Sequence, residues 1–316
     1  MTAGVSEDAR VAGLSNATRD ALQAAGLDAG DVARAVRAAL EEDFRYGADV
    51  TSAATVAGRT VTAAVVAREP GVLSGVPAAL AVLDLLAEYQ AGSRSAGSWA
   101  VSRTVLVADG TRIGAEDAVL RVHGPAAAVL GAERTLLNFL THLSGVATAT
   151  RAWADAVAGT GAVIRDTRKT TPGLRALEKY AVRCGGGENH RMGLGDAALV
   201  KDNHIAAAGG VPAAVAAVRA AAPAGMVIEV ECDSVAQVRE ALAAGARFVL
   251  LDNMPVPSLR AAVAVAREYE GVRLEASGGL RLSSAREVAE TGVDYLAVGA
   301  LTHSPQALDL GLDAVG

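Results

Sequence analysis

The sequence predicts an α/β protein in two parts, an antiparallel sheet with helices followed by a compact or incomplete α/β barrel. Three observations favour this fold class. At 316 residues the chain is long for a single hydrophobic core. Its first third reads as strands separated by turns, whereas its second half alternates short β-rich runs with alanine-rich helical segments. The composition, 51% hydrophobic and 20% charged, excludes a disordered chain.

The first third of the chain predicts an antiparallel sheet with helices. Asp31 is a candidate helix N-cap, and Pro77 suits the first turn of a helix because that position needs no backbone N–H donor. The predicted elements are an alanine-rich lead-in over residues 1–26, a helix from Asp31 to Glu42, a strand, turn and strand over residues 60–76, a helix from Pro77 to about Tyr89, and strands at 101–107 and 118–122.

A long helix is predicted from Gly131 to Val157, with Gly145 as a candidate break, and the rhythm then changes to βαβ units. Six or seven units in about 140 residues are too few for a complete eightfold barrel. The predicted strands are 163–165, 198–200, 227–230, 248–251, 273–275 and 295–298, and the predicted helices are 212–222, 235–244, 258–269 and 283–291.

Polar or glycine residues follow these strands directly, which is where α/β barrels carry their active sites. They are Asp166 to Lys169, Lys201 to His204, Glu231, Asp252 with Asn253, Ser277 to Gly279, and Gly299. Residues 165–204 hold eight Lys/Arg against five Asp/Glu in a chain of net charge −6. This concentration of positive charge at converging strand ends predicts a polyanionic small-molecule ligand.

The three lysines of the chain, Lys169, Lys179 and Lys201, all lie in this segment, whereas arginine supplies the other 26 of the 29 basic residues. A compact ammonium suits phosphate oxygens, and planar guanidinium groups match carboxylates. We interpret Arg175, Glu178 and Lys179 as a solvated helix face. Arg168, Lys169, His190, Arg191 and Lys201 instead lie in loops or at strand ends.

Two strand-end carboxylates, Glu231 and Asp252, are candidates to bind a divalent metal or sugar hydroxyls. We expect Glu229 to face away from Glu231. The tripeptides Ser277-Gly278-Gly279 and Val298-Gly299-Ala300 predict a phosphate cradle, because backbone N–H groups of late barrel loops commonly bind phosphate.

Composition excludes several other classes. The acidic balance and the lack of a basic tail argue against nucleic acid. Two cysteines exclude a disulfide scaffold and favour a reducing compartment. The polar start, without an apolar run, and the interrupted apolar stretches elsewhere predict a cytoplasmic protein with no membrane partner.

The segment RDTRKTTPGLRALEKYAVRCGGGENHRMGLGDAALVKDNHI (165–205) resembles the signature of the quinolinate phosphoribosyltransferase family. Similar segments run along nearly the whole chain. They include ALEED (39–43), GVLSGV (71–76), AERTLLNFL (132–140), LLDNM (250–254), EASGGL (275–280) and DYLAVGALTHS (294–304).

The resemblance implies a type II phosphoribosyltransferase with an N-terminal α/β sandwich, residues 1–133, and an open α/β barrel, residues 134–303. The tail, residues 304–316, would return to the first domain. It also implies Mg²⁺ as cofactor and a homodimer in which Arg134 is supplied across the interface to the neighbouring active site.

The resemblance implies these roles too. Arg134, Arg168, His190 and Arg191 would hold the carboxylates of quinolinate, with Lys201 nearby and Thr167 also binding substrate. Lys169 and Lys201 would contact phosphoribosyl pyrophosphate, and Glu231 and Asp252 would bind ribose hydroxyls and Mg²⁺; these four are the expected catalytic residues. Ser277, Gly278, Gly279, Gly299 and Ala300 would cradle the 5′-phosphate. The products would be nicotinate mononucleotide, pyrophosphate and CO₂, in NAD biosynthesis.

Three alternatives stay open at this point. One is a related phosphoribosyltransferase acting on another pyridine or anionic ring. Another is a barrel aldolase that uses Lys201 as a Schiff base. The third is a non-catalytic metabolite sensor.

Overall fold

The structure, a computed structural model, describes residues 7–89 and 99–315. Its strands are β1 Thr60–Ala67, β2 Gly71–Val72, β3 Ser102–Val105, β4 Arg112–Ile113, β5 Ala118–Pro125, β6 Val163–Arg165, β7 Ala198–Val200, β8 Ile228–Cys232, β9 Phe248–Asp252, β10 Arg273–Ser277, β11 Tyr295–Ala297 and β12 Leu310–Ala314. Its helices are α1 Glu7–Arg10, α2 Asn16–Ala24, α3 Ala29–Phe44, α4 Val50–Thr55, α5 Val76–Leu85, α6 Ala126–Ala156, α7 Arg175–Cys184, α8 Asp202–Ala208, α9 Val211–Ala221, α10 Val235–Ala243, α11 Val256–Ala266, α12 Ala285–Ala289 and α13 Ala300–His303.

The chain divides into two compact units. The first comprises residues 1–149, 171–185 and 304–316, and the second comprises residues 150–170 and 186–303. This division differs from the predicted boundary after residue 133 because the long helix α6 keeps residues 134–149 in the first unit. It also differs because α7 packs in the first unit, where the Glu178 carboxylate lies 2.8 Å from Nε2 of His142 on α6.

The first unit is built on a four-stranded antiparallel sheet in the order β12-β1-β5-β3. The chain's last strand, β12, pairs with β1, with Val65 opposite Leu312. Helix α5 is almost completely buried, and its sequence VPAALAVLDL is apolar apart from Asp84, as expected of a core helix.

Several predictions for the first unit require correction. Helix α3 is capped by Asp28, whose carboxylate accepts from the Asp31 N–H, so Asp31 lies inside the first turn. The predicted lead-in contains α2, capped by Ser15, while residues 1–6 lie outside the described residues. Helix α6 continues through Gly145, where a side chain would meet the main chain at Gln306.

The interpretation of Arg175, Glu178 and Lys179 as a solvated face was wrong for two of them. Glu178 and Lys179 are both fully buried in α7. The Glu178 carboxylate accepts from the Thr171 backbone N–H as well as contacting His142. Charged side chains can be buried when such partners compensate for lost hydration.

The second unit is built on a six-stranded parallel sheet in the order β6-β11-β10-β9-β8-β7. Helices α8 to α12 alternate with the strands as the sequence predicts, although α8 begins directly after Lys201, in a stretch predicted only as a strand end. Strands β6 and β7 are consecutive in the chain but form opposite edges of the sheet. The result is an open α/β barrel, because the strand ends of the whole sheet surround one cavity.

Within the described ranges, no single helix is both long and apolar enough to cross a membrane. Helices α8 and α9, which meet at a bend of 95°, would pass that test as a pair by length and composition alone.

Candidate active site

A cavity of about 540 Å³ opens at the carboxyl ends of the parallel strands in the second unit. Every strand of the barrel contributes to it, either directly or through the loop that follows the strand. The lining residues are Thr167, Arg168, Lys169, His190, Arg191, Leu199, Lys201, Glu231, Leu250, Asp252, Asn253, Glu275, Ser277, Gly278, Gly279 and Ala297.

The lining follows the period of two that strands impose on their side chains. Leu199 and Lys201, Leu250 and Asp252, and Glu275 and Ser277 are pairs two residues apart along β7, β9 and β10, with Lys201 just after β7. In each pair the second member lies at or just beyond the carboxyl end of the strand. The first member therefore forms a deeper layer, and the second lies closer to the mouth.

Two arginines form the cationic side of the cavity. Burial lowers the pKa of Arg191, and the charge of Arg168 lowers it further. The Nε atoms of both guanidinium groups are buried and make no hydrogen bond with the described residues. A buried donor without a partner is unfavourable, so two neighbouring guanidinium groups of this kind provide a strong binding site for a carboxylate-bearing ligand.

Two carboxylates lie at the ends of the adjacent strands β8 and β9. Glu231 is half-buried, and burial raises its pKa. Lys201 and Lys169 oppose this increase, whereas the charges of Asp252 and Asp202 add to it. Glu231 is therefore close to both positive and negative side chains. A bound cation, or hydroxyl groups that donate to the carboxylates, would reduce the repulsion between the acids.

The main chain of Lys169 is held by hydrogen bonds to α13 and within its own loop. Its carbonyl accepts from the Thr302 hydroxyl at 2.8 Å, and its N–H donates to the Thr167 hydroxyl at 3.0 Å. A Cβ built on Gly299 would lie 2.9 Å from the Cδ of Lys169. Gly299 thus leaves room for the lysine side chain, and both lysine side chains of the cavity, Lys169 and Lys201, are solvent-exposed.

The Ser277-Gly278-Gly279 turn closes another side of the cavity. Gly278 and Gly279 have φ angles of +83° and +62°, which favour glycine. Asn253, with φ +53°, donates from Nδ2 to Oδ2 of Asp252 at 2.8 Å, and its side chain packs on the Gly278 backbone. This turn therefore exposes its backbone without a Cβ in the way.

A buried polar network lies beneath the mouth, and the sequence prediction missed most of it. His190 Nε2 lies 2.8 Å from Glu229 Oε2 and 3.5 Å from Glu275 Oε1. Arg165 donates to Glu275 Oε2 at 2.7 Å, and its guanidinium group lies over the stacked rings of Phe248 and Tyr295.

The expectation that Glu229 faces away from Glu231 was wrong, because residues two apart on a strand share a face. Counting back two positions from Glu231, Ser277 and Thr167 would have identified Glu229, Glu275 and Arg165 in the deeper layer. Burial raises the pKa of Glu229 to about 7, despite the nearby charges of Arg165 and Arg191. Burial and the charge of Glu229 raise the pKa of Glu275 to about 7, although His190 and Arg165 oppose the increase.

Most of the predicted site residues meet in this cavity. Those among its lining are Thr167, Arg168, Lys169, His190, Arg191, Lys201, Glu231, Asp252, Ser277, Gly278 and Gly279. Gly299 contacts Lys169 beside it, and Ala300 follows as the first residue of α13. Arg134 is exposed on α6 in the first unit and is not among the lining residues.

Family models for quinolinate phosphoribosyl transferase match most of the chain, the N-terminal domain over residues 49–144 and the C-terminal domain over residues 146–313. The chain belongs to the quinolinate phosphoribosyltransferase family. A nicotinate-nucleotide pyrophosphorylase (carboxylating) from Mycobacterium leprae (strain TN) is 54% identical over 287 residues, which cover 90% of this chain and 97% of that protein.

Other members of the quinolinate phosphoribosyltransferase family are similar to this chain along most of their length. A quinolinate phosphoribosyltransferase (decarboxylating) from Nicotiana glauca is 39% identical over 89% of this chain and 82% of that protein. The solved structure of a nicotinate-nucleotide pyrophosphorylase from Francisella tularensis superposes with a TM-score of 0.83 at 38% identity, over 90% of this chain and 96% of that one. The predicted fold class, a sheet-based N-terminal layer with an open barrel, is confirmed.

Proposed function

We propose that this member of the quinolinate phosphoribosyltransferase family transfers phosphoribose from phosphoribosyl pyrophosphate to quinolinate and releases CO₂. The products are nicotinate mononucleotide, pyrophosphate and CO₂, a step of NAD biosynthesis. One observation carries the proposal: two half-buried arginines, whose buried Nε donors have no partner among the described residues, share a cavity with two carboxylates and two lysines. Family membership supports the reaction and argues against the Lys201 aldolase and the sensor.

Quinolinate is a pyridine with two adjacent carboxylates, and the arginine side of the cavity suits it. Arg168 and Arg191 supply planar donors that match carboxylates. The two guanidinium groups repel one another, and a dianion bound between them reduces this repulsion. Relief of the repulsion adds to the free energy of binding quinolinate. Thr167 lies beside them and adds a hydroxyl.

Phosphoribosyl pyrophosphate suits the remaining sides. Lys169 and Lys201 provide point charges for phosphate oxygens, and Glu231 and Asp252 accept from ribose hydroxyls. The Ser277-Gly278-Gly279 turn, with Gly299 and Ala300 at the next strand end, presents backbone N–H groups for the 5′-phosphate.

Mg²⁺ fits the same carboxylates. Glu231 and Asp252 repel one another across the mouth, and both offer the oxygen ligands that Mg²⁺ prefers. When bound, Mg²⁺ would neutralise charge on the pyrophosphate. We propose Glu231 and Asp252 as the residues that hold it.

The chemistry needs positioning and charge rather than a covalent intermediate. The pyridine nitrogen forms a bond to C1 of ribose while the bond from C1 to the pyrophosphate oxygen breaks. Glu231 and Asp252 supply negative charge near C1 as it becomes cationic. The ring nitrogen is then positively charged, so the bond from C2 to the adjacent carboxylate can break, with its electron pair drawn toward the ring. CO₂ leaves, and a proton takes its place at C2.

We also propose the homodimer, with Arg134 of one copy supplied to the cavity of the other. Arg134 is exposed on α6. Leu130 and Asn138, one turn away on either side, are exposed too, so an accessible stripe runs along this helix. A cytoplasmic location remains a prediction from the composition.

The direct test measures labelled CO₂ released from carboxyl-labelled quinolinate. We expect release only when phosphoribosyl pyrophosphate and Mg²⁺ are both present, with one nicotinate mononucleotide formed for each CO₂. A parallel assay with nicotinate as acceptor tests the alternative of a different ring. Turnover of nicotinate equal to or above that of quinolinate would overturn the substrate assignment.

A further inference from the structure

The environment of His190 restricts what its imidazole can do. Nδ1 lies 2.9 Å from the backbone nitrogen of Arg191, which can only donate a hydrogen bond. Nδ1 must therefore carry a lone pair. The ring proton is then on Nε2, which faces the carboxylates of Glu229 and Glu275. Both ring nitrogens of His190 are engaged within the protein.

Glu275 is itself held in place. It is fully buried and receives a hydrogen bond from Arg165, whose guanidinium group lies over the rings of Phe248 and Tyr295. Arg165 also donates to the Asn189 carbonyl at 3.2 Å, directly before His190. The backbone N–H of His190 donates to the buried Asp166 carboxylate at 2.9 Å. Ring and main chain are thus held from separate sides.

His190 and Glu275 line the cavity themselves, and the Arg191 main chain links this network to the arginine side of the cavity. Arg191 follows His190 immediately, and its guanidinium group lines the cavity beside Arg168. The Arg191 backbone N–H is bound by the His190 ring, while its NH1 donates to the Ala197 carbonyl at 3.1 Å. A movement of the ring would therefore move the arginine.

We propose that Glu229 and Glu275, supported by Arg165, are positioning residues that fix His190 as the Nε2–H tautomer, so that His190 positions Arg191 instead of donating a hydrogen bond to substrate. This inference rests on the proposed function in one respect, that quinolinate is the ligand that Arg191 binds. It replaces the expected role of His190 as a direct ligand of a quinolinate carboxylate.

The first test reads the tautomer directly and needs no turnover. Two-bond ¹H–¹⁵N correlation spectra of the ¹⁵N-histidine-labelled full chain identify which ring nitrogen carries the proton. The signals of His190 are assigned by their loss in His190→Gln. We expect a protonated Nε2 and an unprotonated Nδ1, unchanged when quinolinate is added. A protonated Nδ1, with or without quinolinate, would overturn the proposal even if the enzyme turns over quinolinate as proposed.

The second test compares two amide replacements of the ring. In His190→Asn the side-chain oxygen stands near the position of Nδ1 and can accept from the Arg191 N–H. In His190→Gln the amide stands near Nε2, where its NH₂ can replace the ring donor, and no acceptor remains near the Arg191 N–H. We expect kcat/KM for quinolinate to be about tenfold higher in His190→Asn than in His190→Gln. The reverse order would indicate a direct donor and contradict the proposal.

A third measurement separates positioning from support of the fold. Glu275→Gln is expected to lower kcat/KM for quinolinate by about tenfold to a hundredfold, because misplacing a binding group is costly. KM for phosphoribosyl pyrophosphate should change little. Glu290→Gln is the matched control, since Glu290 forms an exposed ion pair with Arg286. Equal changes in both KM values, or a loss no greater than that of Glu290→Gln, would contradict the proposal.

Discussion

Gly299 shows how much depends on one missing methyl group. A Cβ at this position would lie 2.9 Å from the Cδ of Lys169 and 3.4 Å from the ring of His303. The lysine side chain is flexible and exposed, so it can move away without disturbing the strand. A methyl group at this position is therefore expected to displace the Lys169 ammonium group instead of destabilising the fold.

We predict that Gly299→Ala raises KM for phosphoribosyl pyrophosphate severalfold and leaves the thermal midpoint of unfolding almost unchanged. The reason is displacement of Lys169 from the phosphate side of the cavity. Steady-state kinetics with each substrate varied in turn would measure it. Gly195→Ala is the control, because a Cβ there meets nothing within 4 Å. An unaltered KM in Gly299→Ala would remove Lys169 from the proposed phosphate contact.

Lys169 and Glu231 are predicted to be indispensable for turnover and dispensable for folding. Lys169→Ala and Glu231→Ala should each abolish CO₂ release, since each removes a charge that faces the reacting groups. Both side chains lie at the solvent-accessible mouth, so circular dichroism and the unfolding midpoint should remain close to wild type. Normal kinetics in both variants would refute their assigned roles.

At the scale of the element, β7, β9 and β10 each contribute two residues to the cavity, one deep and one at the mouth. The deep layer contains Glu229 and Glu275, neighbouring acids kept from water. Burial raises the pKa of Glu275 to about 7, above the value of about 4.3 for an unfolded glutamate. Between these two pH values the native state binds more protons than the unfolded state, so stability falls as pH rises.

We therefore predict that wild type becomes less stable relative to Glu275→Gln as pH rises from 5 to 8. The glutamine stays neutral and lacks this titration, whereas the wild-type carboxyl group loses its proton within the window. Thermal unfolding of both proteins at each pH would measure the difference. A difference in midpoint that is independent of pH would show that Glu275 does not titrate in this range.

The mouth layer could be predicted from sequence, and the deep layer was harder to predict. Strand ends were recognisable because an apolar run stops at a polar residue, as at Lys201 and Asp252. Glu229 lies inside such a run, where its burial depends on His190, a partner 39 residues away. Glu178 and Lys179 were misjudged for the same reason, since a charged helix residue is expected to be exposed unless a distant partner is known.

At the scale of the whole molecule, the proposed homodimer has one copy complete the cavity of the other. Arg134 is exposed on α6, and the proposed homodimer supplies it in trans. Chains carrying Arg134→Ala or Lys169→Ala are each expected to be inactive alone. A hybrid dimer of the two would contain one intact cavity, made from Lys169 of one chain and Arg134 of the other.

Mixing the two inactive variants in equal amounts, under conditions that exchange subunits, should restore about a quarter of wild-type activity, because half of the dimers are hybrids with one working site of two. The assay is CO₂ release before and after exchange, with sedimentation used to confirm the assembly. Persistent inactivity, despite exchange, would mean that Arg134 does not act across an interface.

The placement of β6 and β7 at opposite edges of the parallel sheet has a consequence for engineering. Arg168, His190 and Arg191 all lie on the excursion that joins these strands, whereas Glu231, Asp252 and the glycine turn come from later parts of the chain. The same segment also carries Lys169, which is proposed to contact the sugar donor, whereas the other proposed donor contacts come after β7. Replacing the segment between β6 and β7 while keeping Lys169 therefore offers a route to an enzyme for another aromatic acid that retains the donor contacts.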